Sequence, residues 1–368
     1  MADQTDDFMA MKGAGYYSRA TIGAKHVMDN ATGLILDALE RQPPADDGSV
    51  FQMTYMGCAD GGTSIDMVGR VLGNVRARCP SRPIQMTYTD LPKTDFSQLF
   101  QIVHGLTDTA TYVDTIDDLY ISASATSFHR RIVPPGTLDI GHSATASHYI
   151  TEVPADIEDH VHMVRAKGDV RAAFEAKGAA DWENFLMMRA SELKSGGVLA
   201  LFNFGIDEED RWLGHTGGVS MFDEYNRHWR DMMGEGLITP EEYRATNFPQ
   251  VYRTVEQFTA PFASQDSPVR AAGLTLEHVE TRVVRCPYAE GWESGAYASA
   301  AEFAKAYIPT LRSWSEPVFA NALAKARPAQ ERAALVDAFY GRYEAAVAAA
   351  PEGHGMDYVH CYLICRKS

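Results

Sequence analysis

Residues 50–75 place the tightest constraint on the fold. Val50–Met56 is a short apolar run of strand type, Gly57-Cys58-Ala59-Asp60-Gly61-Gly62 is a glycine turn, and a helix starts at Thr63 with Ile65, Val68, Leu72 and Val75 at helical spacing. A strand that passes through a glycine turn into a helix opens a βαβ unit, so the chain is expected to be α/β with a largely parallel sheet. Four further strands follow in order: Ile84–Thr89 ending in Asp90, the run around Leu119–Ala123, Thr137–Ile140 ending at Gly141-His142-Ser143, and Val198–Phe204. A helix over about Asp181–Lys194, N-capped by Asp181 and stopped at Ser195-Gly196-Gly197, feeds the last of these. Leu274–Val284 and Tyr358–Cys365 return to the sheet as strands. Charged stretches after Gly205 (Asp207–Trp212, Phe222–Gly236, Glu241–Thr246) read as an inserted helical layer. Ala300–Ile308, Pro317–Ala326 and Gln330–Ala349 are alanine-rich helices, the first two kept apart because Pro309 and Pro317 each break a continuous helix.

Composition narrows the function. Forty-nine Asp and Glu against 33 Lys and Arg give a net charge of −16, with no basic run, so a phosphate backbone is repelled and nucleic acid is not an expected partner. Hydrophobic residues make up 45% of the chain, enough for a large core, yet no run approaches the roughly 18 apolar residues of a membrane span. The acidic start, MADQTDDFMAMKG, has no secretory pattern, and a cytoplasmic location is expected. Five scattered cysteines without a CxxC pair read as reduced, buried thiols, and no metal site is expected.

The chemistry starts at the glycine turn. Gly57 and Gly61 allow a ligand to approach the backbone while a helix N-terminus faces it; a tight turn with no ligand has the same sequence. Asp90 lies 33 positions after Gly57, not the ~20 of a nicotinamide fingerprint, and the turn is not GxGxxG. A carboxylate ending the adjacent strand can accept both hydroxyls of a ribose, although Asp90-Leu91-Pro92 also reads as a capping turn. A nucleoside site without a pyrophosphate signature points to S-adenosylmethionine.

Several segments then resemble, in order, one family. They are Met11-Lys12-Gly13-Ala14-Gly15 with Ser18, the turn Gly57–Gly61, Thr89-Asp90-Leu91-Pro92 through Phe100, and Ser127-Phe128-His129-Arg130-Arg131. His142–Pro154 and Phe185–Gly197 complete the set. These segments resemble the SABATH methyltransferases, best known as plant enzymes that methylate salicylate, benzoate, jasmonate, indole-acetate and xanthine alkaloids. The resemblance implies a Rossmann-like class I methyltransferase sheet of about seven strands with a helical cap. The core would comprise residues 1–147, 183–206, 270–290 and 355–368, and the cap 148–182, 207–269 and 291–354. It implies S-adenosylmethionine as cofactor and S-adenosylhomocysteine as product. Asp90 and Leu91 would hold the ribose, Ser127 and Phe128 the adenine, and Lys12 with the segment to Gly23 the methionine end, alongside Gly57, Gly61, Asp60 and Arg19.

Departures from the family pattern carry information. Tyr55 stands where the family has an Asp, leaving a methionine contact missing or supplied by Asp60, and Arg19 and Gly23 replace the usual Tyr and Ser. At the carboxylate-binding positions the chain has His26 and Tyr149, the latter preceded by His148, with Thr145 nearby; the three ring side chains all donate hydrogen bonds. His26 by itself also reads as a surface or capping histidine. His142 is expected in the core, bonded to backbone, and His160 with His162 is expected at a solvated helix start rather than on a metal. The expected reaction is methyl transfer to the carboxylate of a small organic acid, an in-line displacement that needs orientation and no general acid or base. N-methylation of a heterocycle and nicotinamide-dependent oxidation remain the alternatives. The expected partner is a small carboxylic acid, with a homodimer compatible.

Overall fold

The computed structural model of the chain describes residues 16–368. Helices α1 (Tyr16–Ala20) and α2 (Ile22–Arg41) lead to β1 (Phe51–Met56), which is followed by α3 (Ile65–Arg78). β2 (Ile84–Asp90), α4 (Phe96–Val103), β3 (Leu119–Ala125) and β4 (Leu138–Ala144) come next, and α5 (Gly168–Glu192) runs directly into β5 (Leu193–Ile206). The chain continues through α6 (Met221–Gly234), α7 (Pro240–Arg244), β6 (Arg253–Thr254), α8 (Val255–Ala263) and α9 (Pro268–Ala271). It closes with β7 (Leu274–Val284), α10 (Pro287–Glu293), α11 (Ala300–Ala322), α12 (Ala329–Ala349) and β8 (Tyr358–Lys367).

The strands join in the order β3-β2-β1-β4-β5-β8-β7, with the two-residue β6 alongside the end of β5. The first five in that order pair in parallel, and β8 runs antiparallel between β5 and β7. Burial of both faces explains why β8 reads as a near-continuous apolar run. Tyr358, Tyr362 and Ile364 join the core that includes Val27, Met28 and Ala31 of α2, while Cys361, Leu363 and Cys365 pack with Trp182, Phe185 and Leu186 of α5. The order reverses around β1, whose neighbours are β2 on one side and β4 on the other; in open α/β sheets such a reversal opens a crevice at the carboxyl ends of the strands.

Several local expectations need correcting. Asp181 caps nothing: it sits in the middle of α5, where its carboxylate accepts bonds from the Thr151 amide (2.8 Å) and hydroxyl (3.1 Å). Ser195-Gly196-Gly197 does not stop the helix but forms an irregularity inside β5, opposite Leu138–Ile140, with Gly196 at φ +80°. Asp207–Trp212 is a loop, its turn held by Asp207 accepting from the Glu209 and Arg211 amides. α11 runs unbroken through Pro309 and Pro317. Each internal proline costs about 3 kcal/mol, and the buried stripe Phe303, Tyr307, Leu311, Trp314, Val318 and Phe319 outweighs it. The 182/183 boundary between core and cap falls within α5.

All five cysteines are buried and free. His142 is a core residue as expected, its Nδ1 3.0 Å from the Ala200 carbonyl oxygen. Burial holds His142 and His360 down to a pKa of about 3, well below the 6.5 of a free imidazole. Between those values the unfolded chain binds protons that the folded one excludes, so stability is complete above about pH 6.5 and falls as the pH drops toward 3. The loss is about 1.4 kcal/mol per pH unit for each such histidine. Urea unfolding at pH 7 and pH 5 is expected to show it, and His360→Phe is expected to flatten the slope by one proton; equal stability at the two pH values would contradict the burial of both rings.

Candidate functional site

The site forms where the glycine turn meets the ends of β1, β2 and β4. Gly57 has φ +75°, and a Cβ there would lie 2.4 Å from the Cβ of Ala146, so only glycine fits. The Gly57 and Cys58 amides donate to the Thr89 carbonyl at 2.9 and 3.2 Å, which ties the turn to the end of β2. Asp90 completes the clasp: its carboxylate accepts from the amides of Ala59 and Leu91 (2.7 Å each) and from the Thr94 hydroxyl (3.0 Å). Burial raises its pKa, and these three donors offset part of that rise. A carboxylate has about four acceptor positions, so Asp90 keeps capacity for another donor.

Two cavities adjoin at this point. The first is lined by Gly57, Ala59, Asp90, Leu91, Thr126, Ser127, Phe128, His129 and Ala146, the second by Thr21, His148, Phe204, Leu213, Tyr252, Trp314, Met356 and Tyr358. Tyr17, Thr145 and Tyr149 line both and form the wall between them. Thr145 holds φ +53°, an unusual conformation for a β-branched residue, and its amide donates to the Phe202 carbonyl (2.9 Å).

The loop that carries Phe128 is fixed from beneath by a fully buried arginine. Arg189 donates to the carbonyls of Phe128 (2.7 Å) and Arg130 (2.8 Å) and pairs with Glu192 at 2.6 Å. Phe128 rests edge-on against Phe185, with centroids 5.6 Å apart. The first cavity thus offers a carboxylate with spare acceptor capacity, an aromatic ring and a backbone that approaches without a Cβ. That set fits a ribose with a flat base.

The structure brings Gly57, Asp90, Leu91, Ser127 and Phe128 together in one cavity, with Thr145 and Tyr149 on the shared wall and His148 in the second cavity. Four other candidates stand elsewhere. His26 lies on the outward stripe of α2 with the exposed residues Ile22, Asn30, Gly33 and Asp37, and lines neither cavity. Helical periodicity decides this, because the buried stripe Ala24, Val27, Met28 and Ala31 fixes which side faces in. Asp60 is occupied structurally, accepting from the amides of Ser18 (3.0 Å) and Gly62 (3.2 Å) to tie α1 to the turn. Gly61, at φ +76° over Leu99, shapes the turn without lining the cavity, and Arg19 is exposed outside it. Lys12 lies outside the described residues. Tyr55 is a core side chain, its hydroxyl 3.5 Å from the Met28 sulfur and its ring on His142.

His160 and His162 are buried rather than solvated. His162 stacks on Phe222 at 3.9 Å, and His160 Nε2 lies 3.2 Å from Asp223. Among the described residues no group of three His, Cys, Asp or Glu could hold a metal ion, and no described helix is long and apolar enough to cross a membrane. Tyr17 and Thr21 fall within the segment up to Gly23 that the resemblance placed at the methionine end; sequence reading missed Phe204, Leu213, Tyr252, Trp314, Met356 and Tyr358. They come from five separate segments, and only the topology brings them to one place. Burial keeps His148 neutral, with the nearby His360, His162 and Arg253 adding to the effect. Among the described residues lining the second cavity, none is a Lys, Arg, Asp or Glu.

Comparison with known proteins gives three kinds of match. A family model described as SAM-dependent carboxyl methyltransferase matches residues 6–367. Among curated proteins, indole-3-acetate O-methyltransferase 1 of Arabidopsis thaliana is 25% identical over 227 residues, 56% of this chain and 59% of that protein. The O-methyltransferase acrG of Aspergillus aculeatus is 27% identical over 327 residues, 86% of this chain and 84% of that protein. The chain spans about three fifths of the length of the indole-3-acetate and gibberellic acid methyltransferases it matches. Among solved structures, a loganic acid methyltransferase with SAH superposes with a TM-score of 0.75 at 18% identity, covering 97% of this chain and 98% of that one. The likeness establishes the class I methyltransferase fold.

Proposed function

Because the chain belongs to the SAM-dependent carboxyl methyltransferase family, we propose that it transfers a methyl group from S-adenosylmethionine to the carboxylate of a small organic acid. One observation carries this reading: two cavities share a wall, one suited to a nucleoside, the other aromatic and, among the described residues, free of charged side chains. Asp90 accepts the ribose hydroxyls, Leu91 and Phe128 flank the adenine, Ser127 borders it, and Gly57 lets the cofactor lie against the backbone. The bound cofactor supplies an electrophilic methyl on a sulfonium.

The acceptor lies in the second cavity. A carboxylic acid with a pKa near ~4 is ionised at neutral pH, so the chain needs no general base. His148 and Tyr149 orient one carboxylate oxygen, and Thr145 borders the transfer point. Orientation alone is worth up to about 7 kcal/mol of barrier. A lysine or arginine here would stabilise the ground-state anion more than a transition state in which the charge is disappearing. Neutral donors avoid that loss. Tyr252, Trp314 and Tyr358 cover the apolar body of the acid, and residues 148–182, 207–269 and 291–354 act as a cap, each supplying at least one of the lining side chains.

The test is tritiated-methyl transfer to a panel of acids (benzoate, phenylacetate, indole-3-acetate and loganic acid among them), phenols and heterocyclic amines. A base-labile methyl ester is expected. His148→Ala and Tyr149→Phe are expected to lower kcat/KM by about tenfold each, the worth of one hydrogen bond, with the affinity for S-adenosylhomocysteine unchanged. His26→Ala, on the outward face of α2, is expected to leave both intact. A methyl group recovered on nitrogen, or full kcat/KM in both cavity variants, would reject the assignment.

A further inference from the structure

We propose that Arg253, which lines neither cavity, is the positive charge that draws the acid anion into the second cavity through space, a reading that rests on placing the acceptor there. Four arginines are buried among the described residues, and three of them have a carboxylate partner. Arg82 pairs with Asp139 (3.0 Å), Arg189 with Glu192 (2.6 Å) and Arg366 with Glu277. Arg253, 2% exposed, makes no ion pair with any described residue; all three of its guanidinium nitrogens donate to main-chain carbonyls. Nη2 and Nε donate to Gly178 (2.7 and 3.3 Å), and Nη1 donates to Ser147 (3.1 Å). The rings of Trp182 and Phe258 flank the group, their centroids 5.6 and 5.7 Å from its carbon. Burial lowers its pKa to about 10, so it is still a cation at neutral pH. A buried charge without a counter-charge is costly, and a neutral donor satisfies a carbonyl equally well. The main-chain bonds alone therefore do not account for a cation.

The missing counter-charge is the substrate. Ser147, whose carbonyl Arg253 holds, immediately precedes His148, and Tyr252 is the residue before Arg253; His148 and Tyr252 both line the second cavity. The guanidinium thus stands one residue behind the wall at two points. In a buried setting its field is screened far less than at the surface. The charge is felt at the wall: after burial itself, Arg253 is among the groups that hold His148 neutral. The opposing charge is Asp181, one helical turn from Gly178 in α5, and Lys177 lies 3.1 Å from its carboxylate. Because its nitrogens are committed to carbonyls, Arg253 attracts the anion without bonding to it. The neutral donors His148 and Tyr149 then orient the carboxylate, and no salt bridge pins the nucleophilic oxygen.

The test is titration calorimetry on the protein saturated with S-adenosylhomocysteine. The titrants are the panel acid of highest kcat/KM and, separately, its primary amide, which has nearly the same shape and no charge. Arg253→Gln is expected to weaken binding of the acid by about tenfold and to leave the amide within about twofold. Arg253→Lys keeps the charge and gives up the fork, and is expected to hold the acid within about threefold. A purely structural role would move acid and amide together, and would not be rescued by lysine. Should Arg253→Gln fail to fold, Asp181→Asn supplies the opposite sign. Removing that carboxylate is expected to tighten the acid by about threefold with the amide unchanged, melting temperature being measured alongside. Equal weakening of acid and amide, or an affinity for the acid that neither the Arg253→Gln nor the Asp181→Asn change moves, would overturn the attraction alone. If no acid on the panel is methylated, the placement of the acceptor and the attraction fall together.

Discussion

A chain ended at Gly355 is expected to show no cooperative unfolding transition. The deletion removes β8, whose neighbours β5 and β7 both depend on it for main-chain hydrogen bonds. Tyr358, Val359, Tyr362, Leu363, Ile364 and Cys365 are each at most 3% exposed. Burying a large apolar side chain contributes about 1.5–3 kcal/mol, so six together approach or exceed the roughly 5–15 kcal/mol by which a domain is stable. The loss also removes Met356 and Tyr358 from the lining of the second cavity. Calorimetry and near-ultraviolet circular dichroism of the shortened chain are the measurements; a soluble product with a native-like cooperative melt would refute the role of β8.

Replacing Asp90 with Asn is expected to weaken S-adenosylhomocysteine binding by at least about a hundredfold. If Asp90 holds the ribose as proposed, two charge-assisted bonds to its hydroxyls are lost or halved, at about 1.5–3 kcal/mol each. A second cost adds to the first. Asp90 accepts from Ala59 N through Oδ2 and from Leu91 N and Thr94 Oγ1 through Oδ1, so either placement of the new amide opposes a donor. The glycine turn, which Asp90 ties down through the Ala59 amide, then loosens as well. Titration calorimetry decides the matter, with the melting temperature of the free protein separating local from global damage. Unchanged affinity would remove the ribose from Asp90.

Much of this architecture is legible in the amino-acid order, and the parts that are not share a cause. Strands β1, β2, β5 and β8 announce themselves because buried strands are short apolar runs bounded by turn residues, whereas the edge strand β7 is only half-buried along most of its length. The turn at Gly57 and the carboxylate at Asp90 are legible because local backbone geometry restricts which residues can stand there. Helix α11 is not legible, since Pro309 and Pro317 obey a local rule that tertiary packing overrides. Asp181 misleads in the same way: a buried acceptor for Thr151 and an N-cap are the same residue type. His26 is misplaced because motif alignment carries no information about which side of α2 faces inward, whereas the stripe Ala24, Val27, Met28 and Ala31 does. The second cavity is the least legible part, for it draws on side chains as distant in sequence as Thr21 and Tyr358.

The place of β8 in the sheet also sets an order in time. β5 ends at Ile206, and its antiparallel neighbour begins only at Tyr358. During synthesis or refolding, the stretch Val198–Ile206, buried throughout in the finished protein, must wait with one edge open until a segment about 150 residues later arrives. Ordering so long an intervening chain before any reward is gained makes the step slow. An unpaired apolar edge in the meantime is a template for pairing with other chains. Refolding yield should therefore fall steeply with protein concentration, and a tenfold dilution should recover more native protein than a longer wait does.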